Sequence, residues 1–153
     1  MLPPSKLQPW LKETGSLTLK AQRTCEHVEV KVLAEQWHKT LFVRQILMMC
    51  NEEPWWYART IIPKQTFSKR AATLQNLSNR PLGSILFTDP NIQNIQRNII
   101  TQLSSEFEQN IVYPKAWRLG KKQWLWGRAS SYSIDNTLLY MNEIFLPWMD
   151  KYL

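Results

Sequence analysis

The sequence has few of the residues that build metal centres, redox motifs and phosphate loops. Its 153 residues include two cysteines, two histidines and four glycines. Cys25 and Cys50 stand far apart with no CxxC motif, and the histidines at positions 27 and 38 lack the spacing of metal ligands. We therefore expect two lone cysteines, and structural or incidental roles for all four residues. Neither a glycine-rich phosphate loop nor a βαβ unit is recognisable.

Long hydrophobic runs are also missing from the chain. No stretch approaches 18 uncharged apolar residues, so we expect no membrane-spanning helix. The N-terminal sequence MLPPSKLQPWLKETG has no apolar core of the kind found in signal peptides. Together with the lone cysteines, these absences predict a cytoplasmic protein with no stable membrane insertion.

Acidic residues are scarce relative to basic ones. Lysine and arginine total 19 against 12 aspartates and glutamates, which gives a formal net charge of +7. Such an excess attracts nucleic acids, anionic membranes or small anionic substrates. The basic residues are scattered, and their densest cluster is the short run from Arg118 to Lys122. Because no helix-turn-helix, zinc-finger or RNA-binding motif is present, we predict a small-molecule partner and no nucleic acid.

The apolar content and its periodicity indicate the fold class. Hydrophobic residues make up 44% of the chain, enough for the core of a single domain over residues 1–153. Five or six segments have strand patterns and are joined mostly by short turns, with helical segments between them. Residues 91–112 are ambiguous, and could form a strand that continues into a helix or loop. We predict an α+β fold with a single antiparallel sheet of about six strands and helices packed on one face.

Two charged residues stand out inside strands that otherwise read as buried. Arg59 shares one face of its strand with aromatic and apolar residues, and Glu143 is the only charge on its own face. Each stands four residues before a proline that ends the strand. Three interpretations fit this pattern: a buried salt bridge between the two, a strand end that reaches solvent, or a cavity with one cationic and one anionic wall.

Four separated motifs carry a resemblance to a known family. They are EPWWYARTIIP (53–63), LQNLSNRPLGSILFT (74–88), LWGRASS (125–131) and LLYMNEIFLP (138–147). In these motifs and their order the chain resembles the bacterial chorismate pyruvate-lyase (chorismate lyase) family, from about Ser16 to Pro147. The segment 103–123 departs from the pattern, since it is longer here, and the sequence leaves its role open.

The resemblance implies a fold, an activity and a set of partners. The family has an antiparallel six-stranded sheet, removes pyruvate from chorismate to give 4-hydroxybenzoate, and so performs the first committed step of ubiquinone biosynthesis. It needs no metal or organic cofactor, and its ligand is buried under helical flaps. The expected partners are therefore chorismate and 4-hydroxybenzoate, and we expect the protein to be a monomer.

The resemblance also implies site residues. The catalytic pair falls on Arg59 and Glu143, and the substrate-binding set adds Leu17 and Leu82, where backbone N–H groups can complete a carboxylate site. Arg59 is suited to hold an anion and Glu143 to orient the ring hydroxyl or move a proton. Arg128, in WGR, is a further candidate, but a surface or strand-pairing arginine is an equally good interpretation.

Two rival functions share parts of this evidence. A non-catalytic, effector-binding domain of the same fold is the main alternative, because some bacterial transcription regulators use it. Such domains follow a DNA-binding winged helix, and the segment before Gly15 is too short for one, which favours the enzyme. A basic nucleic-acid-binding domain is the second alternative, and a salt-sensitive affinity without chorismate turnover would support it.

Overall fold

The computed structural model describes residues 2–86, 88–109, 111 and 113–153, and its centre is one six-stranded antiparallel sheet. The spatial order of the strands is β1-β2-β3-β6-β5-β4. The strands are β1 (Val28–His38), β2 (Leu41–Cys50), β3 (Glu53–Pro63), β4 (Ile92–Leu103), β5 (Trp124–Ile134) and β6 (Thr137–Phe145). The α-helices are α1 (Gln8–Leu11), α2 (Leu17–Thr24), α3 (Lys64–Lys69), α4 (Ala71–Leu74), α5 (Leu82–Leu86) and α6 (Ser104–Gln109). Three 3₁₀ helices cover Ser5–Leu7, Lys115–Trp117 and Pro147–Tyr152.

Tight turns explain why consecutive strands pair. The β2–β3 turn contains Asn51 and Glu52, and the β5–β6 turn contains Asp135 and Asn136. All four have positive φ, between 47° and 69°. Two consecutive residues with positive φ make the turn whose twist matches that of a hairpin, and Asn and Asp tolerate this conformation well. The sequence predicts that the strands are joined mostly by short turns, and these two turns agree with that prediction.

Most helices cover one face of the sheet, which agrees with the predicted fold class. On this face two apolar clusters form, one under α1 and α2 and one under α3, α4 and α5. Ser16 caps α2, since its hydroxyl oxygen accepts from the Leu19 N–H at 3.3 Å. In the part of the chain that is described, no helix has both the length and the hydrophobicity to cross a bilayer.

The described residues of the segment 104–123 include side chains that pack on the opposite face of the sheet. Residues 92–103 form strand β4 and residues 104–109 form α6, which resolves the ambiguous region as a strand followed by a helix. Phe107 and Tyr113 pack against Tyr57 and other side chains of that opposite face. The segment is therefore a second layer of the core and does not cover the helix-covered face.

The two cysteines form a disulfide, so the expectation of two lone cysteines is wrong. The Cα atoms of Cys25 and Cys50 are 6.0 Å apart, within the usual range for a bridge. Cys25 follows α2 and Cys50 is the last residue of β2. The β1–β2 hairpin brings the end of β2 back beside Val28, three residues after Cys25, and sequence spacing does not show this.

Candidate functional site

The helix-covered face of the sheet encloses a cavity that lies beneath α2 and α5. Its floor is the middle of the sheet, where β3 contributes the small side chains of Ala58 and Thr60. Larger residues at these central positions would fill the space. The other described floor residues are mainly apolar, apart from the charged side chains of Arg44, Arg128 and Glu143.

Two helix starts close the cavity from above. Leu17 and Thr18 open α2, and Leu82 and Gly83 open α5. A Cβ atom on Gly83 would lie 4.0 Å from the Thr18 hydroxyl oxygen, so the two helices meet over the cavity. The structure thus brings the predicted residues Leu17 and Leu82 together at its roof, both buried. The N-terminus of α2 adds positive potential there.

Glu143 lies in the cavity wall, as predicted, but its partner is Arg128. The Arg128 Nε donates to Glu143 Oε1 at 2.7 Å, and both side chains are almost fully buried. The two residues are direct cross-strand partners on β5 and β6. Arg128, for which the sequence left two interpretations open, is therefore a cavity residue.

Arg59 lies on the other side of the sheet, and the prediction that it faces the cavity is wrong. Its cross-strand partners are Gln45 and Asn142, whereas Glu143 pairs with Ala58. Residues that are paired across strands share a face, and neighbours along a strand do not. Arg59 is accordingly exposed, and the structure does not bring it together with Glu143.

The second cavity arginine is Arg44 of β2, which the sequence interpretation missed. Its side chain is 2% exposed. One guanidinium nitrogen donates to the Glu35 carboxylate, and another donates to the Arg80 carbonyl oxygen at 3.0 Å. Burial lowers the pKa of the Arg44 guanidinium below its ordinary value, and the charge of Glu35 partly opposes this effect. The available signal was an arginine inside the apolar run LFVRQILMMC, the same signal that pointed to Arg59.

The charged groups lie at opposite ends of the cavity. Arg44 on β2 and Glu143 on β6 are two strands apart across the sheet, and their positions are offset by two residues along the strand direction. Strand spacing and rise place their backbones roughly 12 Å apart. Arg128 is one strand beyond Glu143. An apolar space with Arg44, paired with Glu35, at one end and the buried Arg128–Glu143 pair at the other suits a ring that carries an anionic group and a hydroxyl.

Comparison with known proteins gives the family. The family model described as "Chorismate lyase" matches residues 1–42 and 38–151. The chain belongs to the chorismate lyase family. A "Probable chorismate pyruvate-lyase" from Shewanella sp. (strain ANA-3) is 33% identical, over 95% of this chain and 82% of the relative. The protein of that name from Shewanella frigidimarina is 30% identical over 99% of this chain and 86% of the relative.

A solved structure is also similar to this member of the chorismate lyase family. It is the ligand-binding domain of a transcriptional regulator from Bordetella bronchiseptica, assigned to the GntR family. The match covers 78% of this chain and 86% of that chain, with 14% sequence identity and a TM-score of 0.49.

Proposed function

We propose that this protein is a chorismate lyase, which eliminates pyruvate from chorismate and forms 4-hydroxybenzoate. The observation that supports it best is the cavity with Arg44 at one end and the Arg128–Glu143 pair at the other. Family membership supports the same reaction. The guanidinium groups of the two arginines in the cavity lining, Arg44 and Arg128, suit a substrate with two carboxylates.

The two ends of the substrate bind at the two ends of the cavity. Arg44 holds the ring carboxylate, and backbone N–H groups at Leu17 and Leu82 complete this site. The ring hydroxyl, at the opposite end of the ring, then meets Glu143. The enolpyruvyl group is on the neighbouring ring carbon and lies towards Arg128, whose charge attracts the second carboxylate.

The elimination needs one proton to leave and one carbon–oxygen bond to break. Glu143 takes the hydrogen of the ring carbon that carries the hydroxyl, and the C–H electrons form the third ring double bond. The bond from the neighbouring carbon to the enolpyruvyl oxygen breaks, and Arg128 stabilises the negative charge on that oxygen. Protonation of the enolpyruvate then gives pyruvate, so atoms and charges balance without an added reagent.

We also propose the finer properties that were expected from the resemblance and, for the location, from the sequence pattern. These are an enzyme without metal or organic cofactor, a role as the first committed step of ubiquinone biosynthesis, a cytoplasmic location and a monomeric state. Substrate binding is proposed for Leu17, Leu82 and Glu143, as expected from the sequence, with Arg44 in the position that had been given to Arg59.

The decisive experiment mixes the purified chain with chorismate in the presence of a chelator. We expect equal amounts of 4-hydroxybenzoate and pyruvate, with Arg44→Ala as the inactive comparison. Binding of chorismate or 4-hydroxybenzoate without turnover would contradict the enzyme and support a non-catalytic, effector-binding domain. A chain that neither binds nor converts chorismate would overturn both functions.

A further inference from the structure

One backbone carbonyl, that of Glu13, accepts hydrogen bonds from two arginines of the sheet. Arg97 Nη1 on β4 donates to this oxygen at 2.8 Å, and Arg128 Nη1 on β5 donates to it at 2.7 Å. Arg128 at the same time holds Glu143. The loop that precedes α2 is therefore bonded to the same guanidinium that contacts the catalytic glutamate of the proposed reaction.

The guanidinium of Arg97 has all three of its nitrogens occupied. Its Nε donates to the Ser130 hydroxyl at 2.9 Å, and its Nη2 donates to the Tyr132 hydroxyl at 2.8 Å. Tyr132 itself lines the cavity. A planar fork with three fixed acceptors has little freedom to move, so the position of the Glu13 carbonyl is set from β5.

The place of Glu13 in the chain makes this contact relevant to the cavity roof. Glu13 stands three residues before Ser16, the N-cap of α2, and four before the roof residue Leu17. Removing the Glu13 carbonyl would leave two neighbouring guanidinium groups without their shared acceptor, and like charges repel. In the closed position of the roof, both arginines donate hydrogen bonds to the Glu13 carbonyl. In an open position, both lose this acceptor.

We propose that Arg97 is a positioning residue that keeps the α2 part of the roof closed through the Glu13 carbonyl, without contacting the substrate. The roof position follows from the contacts alone, whereas its kinetic consequence rests on the proposed function. A ligand that binds only under a closed roof has an apparent dissociation constant that rises as the closed fraction falls. Weakening the Arg97 contact should thus raise KM more than it lowers kcat.

The test compares Arg97→Gln, Arg97→Lys and the control Arg23→Gln with the wild type. Arg23 is an exposed arginine on α2 itself, outside the cavity. Hydrogen–deuterium exchange of the unliganded proteins is followed over residues 14–19 and, for reference, over residues 41–62 of β2 and β3. We expect about tenfold faster exchange at 14–19 in Arg97→Gln, as for a loss of about 1.4 kcal/mol. Exchange at 41–62 should not change.

The variants also differ in steady-state kinetics with chorismate. We expect KM to rise about tenfold in Arg97→Gln, with kcat within about threefold, and the lysine variant to recover part of the loss because it keeps one charged donor. Unchanged exchange at 14–19, equal acceleration in both regions, or a loss confined to kcat would overturn the proposal. Absence of turnover in the wild type would reject the lyase function, and the exchange data would still decide the role of Arg97.

Discussion

Arg128 and Glu143 form a buried ion pair, with 2.7 Å between Nε and Oε1, on directly paired positions of β5 and β6. Breaking such a pair by removing one partner costs about 3–5 kcal/mol, because the remaining charge stays buried. Replacing both partners by apolar residues is often neutral. Single and double variants therefore separate the cost of leaving one charge unpaired from the role of the pair in the proposed chemistry.

Glu143→Gln should reduce activity at least about 100-fold, because a general base contributes about 10²–10⁴ to the rate and an amide cannot take the proton. Stability should also fall, since Arg128 loses its counter-ion. The measurements are chorismate turnover and urea unfolding. In the double variant Arg128→Met/Glu143→Leu, stability should recover while activity stays absent. A Glu143→Gln protein within a few-fold of wild-type turnover would restrict Glu143 to positioning the substrate.

Arg44→Ala should remove most activity while the fold remains. Loss of one donor that stabilises the transition state costs about 2.7–4 kcal/mol, or 10²–10³ in rate. Arg59→Ala is the matched control, since Arg59 is also an arginine of the central sheet but lies on the opposite face from the cavity, where its side chain is exposed. Its turnover should stay within about twofold of wild type. Equal losses in both variants would contradict the assignment of Arg44.

Much of the fold was predictable because it depends on local patterns. Alternating apolar residues indicated the strands, and the predicted short turns between them are found at Asn51–Glu52 and Asp135–Asn136. The disulfide was not predictable in this way. It depends on where the hairpin of β1 and β2 brings Cys50, which no local pattern contains.

The cavity was harder to predict because it depends on which strand faces meet. Alternation along β3 shows which side chains share a face with Arg59. Only the cross-strand register shows whether this is the face of the sheet that also carries Glu143. The register pairs Glu143 with Ala58, which moves Arg59 to the other side. An irregularity in the β2–β3 pairing beside Met48 also interrupts simple alternation near Trp55 and Trp56, both of which are buried. Arg44 carried an equivalent sequence signal. The strand register places its side chain on the cavity face of the sheet, whereas it places Arg59 on the opposite face.

Reducing the Cys25–Cys50 bridge should lower the free energy of unfolding by about 3 kcal/mol, as expected for a closed loop of this length. The bridge also ties the end of α2 to the sheet. Urea unfolding with and without reductant measures the effect. The variant Cys25→Ala/Cys50→Ala should unfold alike in both conditions, close to the reduced wild type. A wild type whose unfolding does not respond to reductant, or which shows two free thiols when denatured, would contradict the bridge.

Gly127→Ala should destabilise the protein and reduce its activity, because Gly127 on β5 lies against β6 with no room for a side chain. A Cβ atom there would lie 2.1 Å from the Glu143 carbonyl oxygen and 2.8 Å from Ile144 Cδ1. Backbone must move to make room, which costs about 1–3 kcal/mol in a packed core. The movement separates Arg128, the next residue, from Glu143.

Gly120→Ala is the matched control, since a Cβ there meets nothing within 4 Å. The free energy of unfolding in urea and the turnover of chorismate should both decrease in Gly127→Ala, and neither should change in Gly120→Ala. Equal behaviour of the two variants would contradict the close approach of the strands.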